Sequence, residues 1–330
     1  MTTVYPVLER VRTIGSFDTP EQSVCPGSVE KLVLRLDDGN AVEAILIGTF
    51  GPRVKKALEL DAVVERRLGQ RLSRRLPYLQ RKIRYETCVS TQVGCALDCQ
   101  FCASSLVPFV RNMTEEELLN EIASVEAEIP SGGQLKKVIF AGVGEPLMNY
   151  DAVSTVVRRL AARGVRARIN TVGVVPYLER MFAERLPTEL IVSFHAPNDA
   201  LRTELMPVGK GYPLAEIIRV LRTAPKDMLI EAKYLMLREL NDTLEHAAEL
   251  ASLVAGLPLM VTLQLYNRIE ERSYRPSEPA QVLRFADALR ARGIRVGMLN
   301  SNIGEPVSGG CGQLRARVIN PSRRSRLPVV

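Results

Sequence analysis

Residues 85–102 read YETCVSTQVGCALDCQFC. The first half is a short run with β-branched and aromatic residues, the composition of a strand. The second half sets three of the chain's six cysteines, Cys95, Cys99 and Cys102, at C-x3-C-x2-C spacing. A strand that runs straight into a thiol cluster places chemistry at the strand's C-terminal end. From Tyr85 onward the same rhythm continues, with short apolar runs (KVIFAGVGE, RARINTVG, ELIVSFHA, LIEAKYLML, LMVTLQLYN, IRVGML) alternating with helical segments such as TEEELLNEIASVEAEI and DAVSTVVRRLAARG. Thr114 followed by Glu117 predicts a capping box, and Gly164, Gly256 and Gly293 stand where helix C-caps belong. Strand–helix repetition predicts an α/β fold with a parallel sheet and outer helices. Roughly six units suit a partial (βα)6 barrel, with function in the loops at the strands' C-terminal ends.

Upstream, KLVLRLDDGN followed by AVEAILIG predicts a hairpin. The expected organisation is therefore an N-terminal β-containing module with a basic linker over 1–84, a barrel over 85–300, and a mobile loop with a basic tail over 301–330. The start, MTTVYPVLERVRTIGSF, lacks a signal peptide's continuous apolar core, and no apolar run approaches the ~18 residues that cross a bilayer. A cytoplasmic protein with no membrane partner is expected, with thiols kept reduced.

The net charge of +7 is unevenly spread. Residues 66–84 carry eight basic residues and no acid, and the tail from Gly312 carries five more arginines, again with no acid. Without those 13 charges the chain has 31 basic against 37 acidic residues, a net of −6. Each run alone also suits a solvated helix face or a tail. Two such runs flanking the chemistry point to phosphate, and so to nucleic acid.

Three thiolates so close can hold zinc or an iron–sulfur cluster. A structural zinc site normally closes with four protein ligands, and no neighbouring CxxC or HxxxH pair supplies the fourth; the only histidines are His195 and His246. A [4Fe–4S] cluster with three cysteine ligands instead keeps one iron open for a small molecule.

CALDCQFC, with Phe101 before the last cysteine, resembles the radical S-adenosylmethionine (SAM) motif. CVSTQVGCALDCQFCAS, GVGEPLMN, TVGVVP, SFHAPNDALRTELMPV and GGCGQL stand in the order seen in RlmN/Cfr-type rRNA adenine methyltransferases. The similarity runs from about Lys31 to Leu314. It implies a [4Fe–4S] cluster on Cys95, Cys99 and Cys102, and SAM held by Gly144, Glu145, Asn170, Ser193, Phe194, His195 and Asn267. Asn170 stands where the family usually has serine. Outside that resemblance, Gly144–Glu145 is a glycine-containing strand end, and a lone His195 is more often a core residue than a functional one.

The resemblance also implies a two-SAM reaction. One SAM methylates Cys311, in SGGCGQL; a radical made from a second activates that methyl group for addition to an sp2 carbon of adenine, C2 or C8. A base removes a proton, and Cys88 frees the product by forming a disulfide with Cys311. Glu43 matches the family's proton acceptor, although AVEAILI alone reads as a strand with Glu43 exposed, and forty-four residues separate it from Cys88. Cys25 matches nothing. The implied partners are RNA, with rRNA ahead of tRNA, and an electron donor such as flavodoxin or ferredoxin. A radical SAM enzyme acting on a peptide or a small heteroaromatic metabolite is the alternative.

Overall fold

The computed structural model describes residues 2–12, 29–50, 83–299 and Arg315. The predicted hairpin is present: β2 (Val29–Arg35) pairs antiparallel with β3 (Ala41–Phe50), Leu34 opposite Val42, across a turn at Asp37–Gly39. β1 (Val7–Arg12) lies on the outer side of β2. β3 then pairs antiparallel with β4 (Ile83–Val89), so the N-terminal strands extend the main sheet.

Seven strands run parallel in the order β4, β7 (Gln134–Phe140), β8 (Arg166–Thr171), β9 (Glu189–Ser193), β10 (Ile230–Met236), β11 (Met260–Leu265) and β12 (Val296–Leu299). A two-stranded ribbon, β5 (Gln92–Val93) with β6 (Arg111–Asn112), flanks the cysteine loop. The connecting helices are α1 (Glu115–Ala127), α2 (Tyr150–Ala162), α3 (Val175–Ala183), α4 (Asp199–Leu205), α5 (Leu214–Leu221), α6 (Leu244–Val254) and α7 (Pro279–Arg290). This is a partial barrel of α/β type, as the strand–helix rhythm predicts. No helix among the described residues is long and apolar enough to cross a membrane.

Alternation within each strand decides what faces where. On β8, Ala167, Ile169 and Thr171 are buried towards the helices, whereas Arg166, Arg168 and Asn170 take the other face. That second face changes character along the strands. At the N-terminal end it is charged and paired: Glu189 meets Lys137 at 3.0 Å, Arg166 at 3.0 Å and Arg168 at 2.7 Å, and Arg168 reaches Glu231 at 3.2 Å. Thr262 Oγ1 donates to Glu231 at 2.9 Å. This network forms a floor beneath the strands' C-terminal ends.

The predicted caps hold. Thr114 Oγ1 accepts from Glu117 N, and the Glu117 carboxylate accepts from Thr114 N, the reciprocal capping box. Gly164, Gly256 and Gly293 all have positive φ, just past helix ends.

Candidate active site

The cysteine loop leaves β4 through a tight crossing. Gly94 has φ +82°, and a Cβ there would lie 2.0 Å from Pro108 O, so only glycine fits before Cys95. The three cysteines are half-buried, and Cys102 Sγ accepts from Ser104 N at 3.4 Å. Ser105 Oγ donates to Cys99 O and Cys102 O, at 3.2 and 2.7 Å, and itself accepts from Arg272 at 2.7 Å. Burial pushes the Cys95 thiol up to about 12, and burial with the neighbouring thiols raises Cys99 well above its ordinary value. A bound cation would reverse that, because metal charge holds such thiols ionised. No three His, Cys, Asp or Glu side chains among the described residues gather closely enough to share one metal ion. Three thiols on one short loop suit an iron–sulfur cluster, in which each thiolate holds a different iron.

Beside the loop lies a cavity lined by Phe101, Cys102, His195, Gln264, Tyr266 and Asn267, among others. His195 has φ +59°, and its ring meets Phe101 edge-on at 4.9 Å. Its Nδ1 accepts from Leu235 N at 3.0 Å, so the proton sits on Nε2. Burial, then the charges of Lys233 and Arg202, keep the ring neutral. Asn241 holds this unusual backbone, donating to His195 O at 2.8 Å and Leu235 O at 2.7 Å while accepting from Leu237 N.

Three buried polar atoms at the strand ends have no protein partner: Asn170 Oδ1, Gln264 Oε1 and Tyr266 OH. Gln264 and Tyr266 line the cavity, whereas Asn170 is not among its lining residues; buried polar groups are normally satisfied, so an orphan beside a cavity marks where a ligand's polar group belongs. Together with the three cysteines, these atoms fit a cluster with a polar small molecule beside it. The sequence reading names Asn267 at this strand end but not Gln264 or Tyr266, although the alternation Thr262, Gln264, Tyr266 places both on one face of VTLQLYN.

Other predicted residues fall less simply. Phe194 is fully buried in the apolar core and is not among the cavity's lining. Ser193 ends β9, half-exposed. Gly144 has φ +105° and packs against Gln92. The Glu145 carboxylate turns away from solvent and braces the strand ends, accepting from Thr171 Oγ1 at 2.5 Å, Val172 N at 2.9 Å and Leu147 N at 3.0 Å.

Glu43 is not the exposed strand residue that its local sequence predicts. It is 2% exposed, because β3 lies inside the sheet, and Lys31 Nζ contacts its carboxylate at 2.8 Å. Its other oxygen accepts from Arg315 N at 3.0 Å. The long separation in sequence does not part it from Cys88: Ile45 pairs with Cys88, and two residues along each strand Ser90 Oγ bonds Glu43 O at 2.9 Å. Glu43, Ile45, Cys88 and Ser90 therefore share one face of the sheet. Cys88 is buried. Arg315, counted above among the basic tail's charges, is buried and donates to Ala41 O at 2.5 Å. Cys311, Cys25, the basic run before Ile83 and the rest of the tail lie outside the described residues.

The radical SAM superfamily matches residues 89–254. A probable dual-specificity RNA methyltransferase RlmN from Opitutus terrae is 33% identical, with 94% of this chain and 83% of the relative covered. A dual-specificity RNA methyltransferase RlmN from Vesicomyosocius okutanii is 34% identical over 83% of this chain and 80% of its own length. The crystal structure of a radical SAM methyltransferase from Sphaerobacter thermophilus superposes with a TM-score of 0.75 at 29% identity, covering 95% of this chain and 82% of that one. The chain therefore belongs to the radical SAM superfamily and, within it, to the RlmN-type methyltransferase family.

Proposed function

We propose that this radical SAM methyltransferase acts on RNA, rRNA first, and methylates an sp2 carbon of adenine, C2 or C8. The relatives' names favour RNA over the peptide or metabolite that the sequence left open. When bound, a [4Fe–4S] cluster supplies the electron that turns SAM into a radical source. Cys95, Cys99 and Cys102 would hold it, and His195, Asn170, Gln264, Tyr266 and Asn267 would orient SAM. Cys311 carries the methyl group to the base as a thioether. Glu43 accepts the proton released at the modified carbon. The Cys88 thiolate then attacks Cys311 sulfur, forming the S–S bond as the sulfur–carbon bond to the product breaks. A flavodoxin or ferredoxin in the cytoplasm would supply electrons.

The observation that carries this reading is the shared face of Cys88 and Glu43 with Arg315 bonded to it.

Two measurements test it. Mass spectrometry of nucleosides from total RNA, from cells with and without the gene, should show a methyladenosine that depends on it; identical profiles would refute the substrate. In the purified enzyme, Cys88→Ala should trap a covalent protein–RNA adduct and Cys311→Ala should abolish transfer with iron content unchanged. Full turnover by the Cys311 variant would end the thioether route.

A further inference from the structure

Arg202, on α4, is fully buried. Its guanidinium donates to Val172 O at 2.6 Å and Tyr212 O at 2.9 Å, with a long contact to Ser193 O at 3.5 Å, while Nε has no partner. Every acceptor is a neutral carbonyl. No carboxylate among the described residues forms an ion pair with it; Asp199, on the same helix, spends Oδ1 on Leu214 N and is exposed. Burial lowers its pKa only to about 10, so it stays charged at neutral pH. A buried charge without a counter-charge costs several kcal/mol, and proteins normally pair it.

The cysteine loop is bonded to the same helix. Gln100, next to Cys99, donates its backbone N–H to Leu205 O at 2.9 Å, which ties the loop to the C-terminal end of α4. Arg202 and Leu205 are three residues apart, both buried on one side of that helix. The carbonyls of Val172 and Ser193 that Arg202 engages stand at the C-terminal ends of β8 and β9, the end of the parallel sheet from which the cysteine loop leaves β4.

We propose that Arg202 is the built-in counter-charge of the cluster held by Cys95, Cys99 and Cys102, and that it favours the cluster's reduced form. Reduction adds a negative charge to a site with little solvent to screen it. A fixed cation there makes the electron easier to accept, since cluster potentials follow net charge and surroundings. Arg202 touches no reacting atom and is a positioning residue acting through electrostatics. The inference rests on the cluster assignment above.

The test is the midpoint potential of the full chain, reconstituted anaerobically with iron and sulfide and titrated without SAM. Arg202→Met should lower the equilibrium constant for one-electron reduction about tenfold, a shift of ~59 mV to more negative potential. Arg202→Lys, which keeps the charge but cannot tie the same carbonyls, should stay close to wild type. A fully loaded Arg202→Met protein at the wild-type potential would overturn the inference. So would equal shifts in the Met and Lys variants, because geometry rather than charge would then be responsible. If the Met variant fails to take up iron, Arg202→Gln, which keeps an N–H donor for Val172 O, carries the same comparison. A wild-type protein that never develops cluster absorbance would instead defeat the cluster assignment, a result distinct from either outcome.

Discussion

The two ends of the same strands solve opposite problems. At the floor, charges on the strands' inner face meet one another: Lys137, Arg166 and Arg168 converge on Glu189, and Arg168 and the Thr262 hydroxyl share Glu231. Two to four residues further along, the same face carries Asn170, Gln264 and Tyr266, each with an orphaned buried atom. Arg202 sits at that upper end without a carboxylate, and His195 holds φ +59°. The floor is complete as a protein. The rim is unfinished, and unfinished polar groups are what a ligand site consists of before its ligand arrives.

The difference is sharpest if the floor is cut. Glu189→Gln leaves three cations sharing one fewer carboxylate, and losing a partner from a buried ion network costs about 3 kcal/mol. Urea denaturation should show that loss, while SAM affinity, set at the other end, should be unchanged. Weaker SAM binding in this variant would break the separation of floor from rim.

Acid provides the next test, because the two ends carry glutamates whose pKa values shift in opposite directions. Burial pushes Glu189 up, but the Lys137 hydrogen bond and the Arg168 charge outweigh it and hold its pKa below 4.5. Its contribution is present above that pH and is lost as pH falls. Glu145 is the reverse: burial raises it to about 7, against hydrogen bonds from Thr171, Val172 and Leu147. Its contribution is full below its unfolded value of 4.5 and disappears as pH rises through about 7. The Glu145 effect is at most about 3 kcal/mol. Denaturation of the metal-free protein at pH 5 and pH 8 should show wild type losing stability over that interval, with the loss absent in Glu145→Gln. A Glu145→Gln curve parallel to wild type would remove Glu145 from the account.

Much of this was legible in residue order. The alternation of apolar runs and helices predicts the parallel strands, and DDGN predicts the turn, because both depend on local periodicity. C-x3-C-x2-C exposes the thiols because close spacing in a loop needs no tertiary knowledge. The local sequence around Glu43 reads as exposed because its burial depends on Ser90 after β4 and on Arg315, which arrive from 47 and 272 residues away. Arg202 was invisible for a similar reason: in ALRTEL it reads as an ordinary helix arginine, and only packing withdraws it from water. Gln264 and Tyr266 could have been found, because their alternation with Thr262 was in plain view.

The smallest predicted effect is the most direct test of what the orphaned atoms mean. If Gln264 Oε1 is unpaired only because SAM is missing, then Gln264→Leu removes a desolvation penalty in the ligand-free protein. A buried polar atom left unsatisfied costs ~1–3 kcal/mol, and an apolar group of similar shape recovers part of it. The variant should therefore be more stable by about 1 kcal/mol, seen as a higher urea midpoint at constant slope. It should also bind SAM about tenfold more weakly, since 1.4 kcal/mol of lost hydrogen bonding is a factor of ten. Stability and affinity moving in opposite directions is the signature of a group kept for its ligand. Were Gln264→Leu destabilised, the orphan would have to be serving the fold, and the rim at that position would resemble the floor after all.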